Sequence, residues 1–600
     1  MEIRQAFLGA FMALVLGSVS QAQQKLILGG GYSQGIKVTT SHNYRAPNWD
    51  SLATGQKTLD GSGLHGPALE ASRFLAQASL GANLTDINRV MAAGMENWID
   101  EQMTLDPTYI LPETRAIFDT LVRIYLERGG NPEEVPTEPY WNVFNYAWWQ
   151  QAVTGEDKLR HRIALALSEL LVISTNSDLG SYGFGLAAYY DIFLKNAFKN
   201  YRDVLREVTL HPCMGFYLSH LDNPKTNEEE NIHPDENYAR EIMQLFTIGL
   251  YELNRDGSRK VDASGNNIPT YDQNDIRELA KIFTGLGASA IKPNMYLEAP
   301  EFGIGIYLND LTQPMKMYEE WHEPGVKTIL GDKEIPAGNS GMKDIEMALD
   351  HLFNHPNVGP FIARHFIQRL VTSNPTPGYI DRVATAFNDN GAGVRGDLKA
   401  VIKAVLLDNE ARSCASIENP LEGMLREPLV RYTHFAKAMK LEQYYERYWN
   451  IGYEFWEKTG QSPLGAPSVF NFFLPDFQPI GAIASQGLVA PEFQIHNTKT
   501  SVGYINQVNN WAIWDNVLWT WEEGNPPAWL VLDELLPLAR DPEVLLNRLD
   551  MLFTHGQLSD RTRSIIKSAI SNVIWGDYRD DRIRLALYLI MISPDYAILK

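Results

Sequence analysis

Cysteine is nearly absent from this sequence, which contains only Cys213 and Cys414 among its 600 residues. Neither residue lies in a CxxC pair, so the sequence disfavours a cysteine-rich zinc site and a thiol redox function. The two residues are far apart in the chain, and two alternatives stay open. They form one disulfide, or they are two separate buried thiols.

Basic runs and long apolar runs are also missing. Lys and Arg number 52 against 73 Asp and Glu, which gives a formal net charge of −21. This charge repels nucleic acid and anionic lipid. No segment after the N-terminus is apolar over the roughly 20 residues that a membrane-spanning helix needs. The HExxH signature of zincins and the GxxxxGK[ST] phosphate loop are absent. We expect no nucleic-acid partner and no membrane insertion of the mature protein.

The N-terminus has the three parts of a secretory signal peptide. Arg4 supplies the positive charge, residues 6–19 form an apolar stretch, and Ser20 and Ala22 are small residues at a cleavage site. We predict a signal peptide over 1–22 and an exported protein, periplasmic or secreted. Residues 23–66 are rich in Gly, Ser and Thr and are predicted to form an extended arm.

From residue 67 onward the sequence is mostly patterned as helices. Apolar residues recur at helical spacing in segments that include 69–78, 159–171, 189–208, 276–283, 342–353 and 398–407. Turn residues within 249–269 predict a hairpin or a paired loop. The predicted fold is mainly α, a large multi-helix assembly with one or two short β-hairpins and long irregular loops. We divide it into a helical core domain, 67–415, and a C-terminal helical region, 416–600.

The segment 233–249, HPDENYAREIMQLFTIG, collects polar side chains on one face of a predicted helix. At about 100° per residue, one arc holds Glu236, Asn237, Arg240, Glu241, Gln244 and Thr247, and the opposite arc is apolar. Asp235 suits the N-terminal cap of this helix. The candidate catalytic residues are therefore Glu236, Glu241, Asn237 and Arg240. The alternative is a solvated face with one ion pair between Glu236 and Arg240, four residues apart.

Histidine precedes proline at three positions, among them His211 and His233. A residue before proline is disfavoured in the α conformation, so these histidines can simply mark helix boundaries. The functional alternative is a mixed nitrogen and oxygen site for a divalent metal, because both histidines flank the acidic segment 222–231. The candidate metal ligands are His211, His233, His322, Glu236 and Glu241.

Segments along most of the chain resemble one known family. They are 72–81, 159–168, 211–215, 234–241, 269–271, 275–285, 322–331, 355–356, 395–398, 426–428, 466–470 and 490–493. On these segments the sequence resembles the bacterial exported proteins catalogued as domain of unknown function 1800, from about residue 70 to the C-terminus. Many members have Asn where this chain has Asp235, and some have His where it has Phe246. Glu236, Asn237 and Glu241 match the family motif.

The resemblance implies a mostly helical exported protein, often encoded beside a second exported family that resembles sulfatases. It implies no particular reaction. Two functions are therefore expected as alternatives. The first is a helical scaffold or binding protein that works with an exported, sulfatase-like partner. The second is a metal-dependent enzyme that acts on an extracellular or envelope substrate through Glu236, Asn237 and Glu241, with the metal, the substrate and the oligomeric state left open.

Overall fold

The computed structural model describes residues 66–293, 295–331, 333–413, 419, 421–449, 455–514 and 528–600. The predicted signal peptide over 1–22 and the predicted arm over 23–66 lie outside these ranges, apart from Gly66. Cys213 is buried, whereas Cys414 is outside the described residues. In the structure Cys213 is a free thiol and forms no disulfide.

The described residues are mainly helical, which confirms the predicted fold class. The first helices are α1 (Gly66–Ala78), α2 (Leu84–Ala93), α3 (Met95–Thr104), α4 (Ile110–Glu127), α5 (Trp141–Thr154), α6 (Lys158–Ser168), α7 (Gly183–Asn196), α8 (Tyr201–Thr209), α9 (Pro212–Tyr217), α10 (Asn237–Gln244), α11 (Gln273–Ile282) and α12 (Gly305–Leu308). Many begin at a side-chain cap, which satisfies amide groups that have no partner within the helix. Asn83 and Asp272, for example, form capping boxes at α2 and α11.

The remaining α-helices follow in the second half of the chain. They are α13 (Gly341–Asn354), α14 (Val358–Leu370), α15 (Pro377–Asn388), α16 (Leu398–Leu406), α17 (Asn409–Arg412), α18 (Pro428–Ala438), α19 (Phe455–Thr459), α20 (Ala482–Ser485), α21 (Thr498–Ala512), α22 (Pro542–Leu549), α23 (Asp560–Ser571), α24 (Tyr578–Met591) and α25 (Pro594–Ala597). Short 3₁₀ helices lie at Pro132–Glu134, Asp178–Ser181, Glu319–Trp321, Pro491–Gln494 and Leu538–Arg540, and a π-helix at Asp550–Thr554. In the described part of the chain, no helix has the length and apolar character needed to cross a membrane.

The strands are two or three residues long and pair antiparallel. The pairs are β1 (Leu286–Gly287) with β2 (Lys316–Met317), β3 (Lys327–Ile329) with β4 (Lys333–Ile335), β5 (Met424–Leu425) with β8 (Ile598–Leu599), and β6 (Glu442–Gln443) with β7 (Ala528–Trp529). The paired loop predicted within 249–269 is also present, with single antiparallel bridges such as Tyr251 to Pro269.

One large hydrophobic cluster extends from Ala68 in α1 to Tyr596 in α25. Within it, α4 packs on α5 and α7, α14 packs on α15, and α10 packs on α11. Residues from both sides of the predicted boundary at 415/416 contribute to this cluster. The boundary itself stays a prediction.

Candidate functional site

Helix α10 carries the polar face that the sequence singles out, but it is shorter than segment 233–249. Asp235 was predicted as the cap, but the residue that precedes the helix is Glu236, which makes no side-chain cap bond; Asp235 Oδ1 instead accepts a hydrogen bond from the N–H of Asn237 at 2.8 Å, one residue before the cap position. Tyr238 and Ile242 on the apolar face are buried, as predicted. Thr247 was placed on the polar arc but is buried, because the helix ends at Gln244 and the helical period no longer applies beyond it.

Glu236 joins α10 to α11. Its Oε2 accepts hydrogen bonds from Gln273 Nε2 at 2.7 Å and from Arg240 Nη2 at 3.2 Å. Arg277 Nε lies 3.6 Å from the other carboxylate oxygen. The predicted Glu236–Arg240 ion pair is therefore present, and it belongs to a network with two side chains of the next helix. These contacts are part of how α10 and α11 are held together.

Glu241 is in a different environment from Glu236. Its side chain is only 6% exposed, and Oε2 has no hydrogen-bond partner. Burial raises the pKa of Glu241, and the charge of Arg240 opposes this effect. Asn237, between the two carboxylates in sequence, is exposed. Glu241, as a buried carboxyl with one oxygen that has no hydrogen-bond partner, can exchange a proton. Glu236 differs, because its carboxylate is occupied by ion pairs.

The structure places His322 and Glu236 at opposite ends of α11. Glu236 binds Gln273, the first residue of this helix. His322 Nδ1 lies 3.0 Å from the carbonyl oxygen of Thr284, just beyond the helix C-terminus. A helix of this length spans about 15 Å, at 1.5 Å per residue. These two predicted ligands are therefore too far apart to bind one metal ion.

His322 belongs instead to a buried ionic cluster. Its Nε2 lies 3.2 Å from Asp344 Oδ2, and Lys327 Nζ donates to the same oxygen at 2.6 Å. Asn339 Nδ2 donates to the other carboxylate oxygen at 2.9 Å. This cluster joins α13, strand β3 and the loop that contains His322. Both nitrogens of His322 are used in these structural contacts.

The other two predicted histidine ligands, His211 and His233, are in different environments. His211 is buried, and its Nδ1 accepts a hydrogen bond from the N–H of Cys213 at 3.2 Å, so it caps α9 as a pre-proline boundary residue. Burial lowers the pKa of His211 to about 3. His233 is exposed. Among the described residues, no three or more His, Cys, Asp or Glu side chains are grouped so as to hold a metal ion.

A buried network of carboxylates and guanidinium groups was not foreseen from the sequence. Glu169 follows α6, and its Oε2 lies 3.2 Å from Arg369 Nε in α14. Arg369 Nη1 lies 3.8 Å from Glu492 Oε1, in the Pro491–Gln494 turn. Gln461 Nε2 donates to Glu427 at 2.5 Å and is 3.5 Å from Glu169. All of these side chains are buried. The network therefore connects five separate parts of the sequence inside the core.

Burial dominates the electrostatics of this network. Burial raises the pKa of Glu492 to about 8, and the charge of Arg369 opposes this effect. Burial and the nearby Glu427 both raise the pKa of Glu169. The adjoining cavity, lined by Glu169, Gln461 and Asn471, has a volume of about 10 Å³, enough for about one water molecule. It is too small for a substrate. A sequence signal did exist, because 159–168, 426–428 and 490–493 are all among the family segments, but no spacing rule connects them.

A GxGxxG pattern occurs at 391–396, directly before α16. In dinucleotide-binding folds this pattern follows a β-strand and precedes a helix. Here it follows helix α15, and Arg395 donates hydrogen bonds to the carbonyls of Phe353 and His355 at 3.0 and 2.9 Å. The glycines therefore form a turn between two helices, not a dinucleotide site.

Comparisons with known proteins place the chain in a family but not in a reaction class. A polyketide synthase–nonribosomal peptide synthetase hybrid, himA, from Aspergillus japonicus is 30% identical over 190 residues. This match covers 27% of the present chain and only 5% of the fungal protein. No solved structure matches the chain. The family model described as "Protein of unknown function (DUF1800)" matches residues 73–598, so this chain belongs to the DUF1800 family.

Proposed function

We propose that this chain is an exported helical scaffold that binds a partner protein, and that the Glu236 face of α10 is part of its architecture. The observation that supports this proposal is the set of contacts made by Glu236, which joins α10 to Gln273 and Arg277 of α11. A substrate or metal at this carboxylate would have to replace contacts that hold two helices together. The metal-dependent enzyme stays an alternative prediction.

A surface of exposed aromatic side chains is the best candidate for binding the partner. We call it the aromatic ridge, and it consists of the exposed Tyr140, Tyr444, Tyr445 and Trp456 together with the partly buried Trp141. Tyr444 and Tyr445 are 75% and 57% exposed, and their ring centroids are 4.9 Å apart. Tyr and Trp are enriched at protein interfaces, because they bury much area at a low cost in conformational entropy.

Helix α5 connects the two parts of this ridge. Trp141, its first residue, packs edge-on against Trp456 with the ring centroids 6.5 Å apart. Gln150, about 13 Å further along the helix, binds the loop that carries the two tyrosines. It donates to the carbonyl of Glu446 at 2.9 Å and accepts from the N–H of Tyr448 at 2.8 Å. Both parts of the ridge therefore contact the same helix, α5. This favours binding of the partner without prior rearrangement of the surface.

The chemistry of this surface favours a protein partner with a basic rim. The net charge of −21 attracts a positively charged surface at long range, and the aromatic side chains supply the short-range contacts. A sulfatase-like exported protein is the partner that the family resemblance suggests. Nucleic acid is disfavoured by the same charge.

The test is a calorimetric titration of the purified chain with the purified sulfatase-like exported protein of the same organism. The double variant Tyr444→Ser/Tyr445→Ser removes two neighbouring exposed rings of the ridge. We expect it to weaken binding at least about tenfold, as loss of interface aromatics commonly does. Trp575→Ser is the matched control, because Trp575 is 74% exposed but lies far along the chain near α24. No binding by the wild-type chain, or equal weakening by both variants, would contradict the proposal.

A further inference from the structure

A cleft lies where α2, α5, α6 and α18 meet, away from α10 and next to the loop that carries Tyr444 and Tyr445. Its volume is about 210 Å³, which suits a small molecule better than a peptide. Its lining contains ionisable side chains of both signs: Asp86, Glu156, Lys158, Lys437, Lys440 and Glu442. The cleft can therefore contact a small molecule through both acidic and basic side chains.

Lys158, at the start of α6, is held in place by two carboxylates. Its Nζ forms an ion pair with Asp86 and lies 3.7 Å from Glu156. Asp86 is itself held in place, because its Oδ2 accepts a hydrogen bond from the N–H of Asn83 at 3.1 Å within a capping box. The wall of the cleft therefore contains a buried Lys158–Asp86 ion pair.

Lys437, in the last turn of α18, has a different set of contacts. It is 8% exposed, and its Nζ donates to the carbonyl oxygen of Val153 at 3.0 Å. The described residues provide it with no carboxylate partner within ion-pair distance, in contrast to Lys158 and Lys440. A buried lysine that lacks a counter-ion and lies near a second fixed cation is better accommodated as the neutral amine.

We propose that Lys437 is a nucleophilic amine, and that the cleft beside it binds a small aldehyde or ketone, which reacts with Lys437 to form an imine. This inference goes beyond the proposed scaffold function and does not depend on it. The geometry that supports it is the cleft, the burial of Lys437, its single backbone acceptor and the fixed charge of Lys158.

The reaction is balanced without a further reactant. The nitrogen lone pair of the neutral amine attacks the carbonyl carbon, a C–N bond forms, and the carbonyl oxygen takes up a proton. The nitrogen loses one proton as the carbonyl oxygen gains one, which gives a carbinolamine; its hydroxyl then takes up a second proton and leaves as water, while the nitrogen loses its remaining proton to solvent. One amine and one carbonyl compound give one imine and one water molecule. The backbone carbonyl of Val153 orients the attacking nitrogen.

The protonation equilibrium of Lys437 agrees with this geometry. Burial, and then the charge of Lys158, lower the pKa of Lys437 to about 8, while Asp86, Glu156 and Asp157 act in the opposite direction. An exposed lysine has a pKa near 10.4. At pH 7 the neutral fraction of Lys437 is therefore much larger than that of a surface lysine.

The test is reductive trapping of the full chain with glyoxylate and sodium cyanoborohydride, followed by peptide mass spectrometry. At pH 7 we expect Lys437 to be labelled at least about tenfold faster than the exposed Lys343, with a rate that rises through a midpoint near pH 8. Lys158→Gln should shift this midpoint upward and slow labelling at pH 7. Lys437→Arg keeps the positive charge. In this variant the peptide that contains residue 437 should carry no label, and labelling of the other peptides should be unchanged.

Labelling of Lys437 no faster than Lys343 at every pH would overturn the proposal. A midpoint that is unchanged in Lys158→Gln would overturn the role of Lys158. Melting curves of both variants separate these outcomes from misfolding. Because partner binding is measured with other residues, failure here leaves the scaffold proposal unaffected.

Discussion

Glu236 Oε2 and Gln273 Nε2 lie 2.7 Å apart, and this hydrogen bond connects the N-termini of α10 and α11. Replacing Glu236 by Gln keeps the shape of the side chain but removes the charge that attracts Arg240 and Arg277. Since these ion pairs are partly exposed, we expect a loss of about 1 kcal/mol or less, seen as a small decrease in melting temperature. Glu229→Gln in the exposed acidic segment is the matched control and should leave the melting temperature unchanged.

Divalent metal ions should not stabilise the protein through the predicted ligands. Glu236 and His322 are at opposite ends of α11, and His211 caps its own helix. A ligand that binds only the folded state raises the melting temperature. We therefore expect no shift on addition of Zn²⁺ or Mn²⁺, or on removal of metal with EDTA. A metal-dependent shift that disappears in Glu241→Ala would revive the metal-enzyme alternative.

Glu492 should make the protein less stable as the pH rises. Burial raises its pKa to about 8 in the folded state, from an ordinary value of 4.5. The folded state therefore holds this proton more tightly than the unfolded state, so the stabilisation is complete below about pH 4.5 and is lost as the pH rises through 8. The slope is at most about 1.4 kcal/mol per pH unit for one group.

The measurement is urea unfolding at pH 5, 6.5 and 8 for the wild type and Glu492→Gln. The variant cannot ionise, so its free energy of unfolding should fall less steeply with pH than that of the wild type. The pKa of Glu169 is also raised, and a smaller slope should remain in the variant. If the free energy of unfolding changes equally with pH in both proteins, Glu492 does not hold a proton in the folded state at these pH values.

Asp191 in α7 should stabilise α4 by capping its N-terminus. Its two carboxylate oxygens accept hydrogen bonds from the N–H groups of Ile110 and Leu111, at 2.7 and 3.0 Å. Loss of a cap acceptor commonly costs about 0.5–2 kcal/mol. We expect Asp191→Ala to lower the free energy of unfolding by about this amount. Asp119→Ala, at an exposed position on α4 itself, should have little effect, and an equal loss in both variants would contradict the cap.

The sequence predicted those parts of the fold that depend on local patterns. The mainly α class and the buried face of α10 both follow from side chains within a few residues of each other. Boundaries were less predictable. Segment 189–208, patterned as helical, contains the two helices α7 and α8, because Asn200 caps the second one with a hydrogen bond to the N–H of Arg202 at 3.0 Å.

The features that sequence patterns missed all depend on contacts between distant segments. Strand β8 at the C-terminus pairs with β5, although the tail was patterned as helices alone. The buried network of Glu169, Arg369, Glu427 and Glu492 brings together four segments, each of which shows only one or two charges among apolar residues. Spacing along the chain carries no information about such pairs. For the same reason, the sequence could not show that the predicted metal ligands have separate roles. These ligands are His211, His233, His322, Glu236 and Glu241.

The central claim is that Glu236 supports the fold while the aromatic ridge binds the partner. The measurement that tests it most directly is the dissociation constant for the sulfatase-like protein, determined side by side for Glu236→Gln and Tyr444→Ser/Tyr445→Ser. We expect Glu236→Gln to lower the melting temperature but to leave binding unchanged. We expect the tyrosine variant to weaken binding at least about tenfold with an unchanged melting temperature. The reverse pattern, with binding lost in Glu236→Gln and kept in the tyrosine variant, would contradict the central claim.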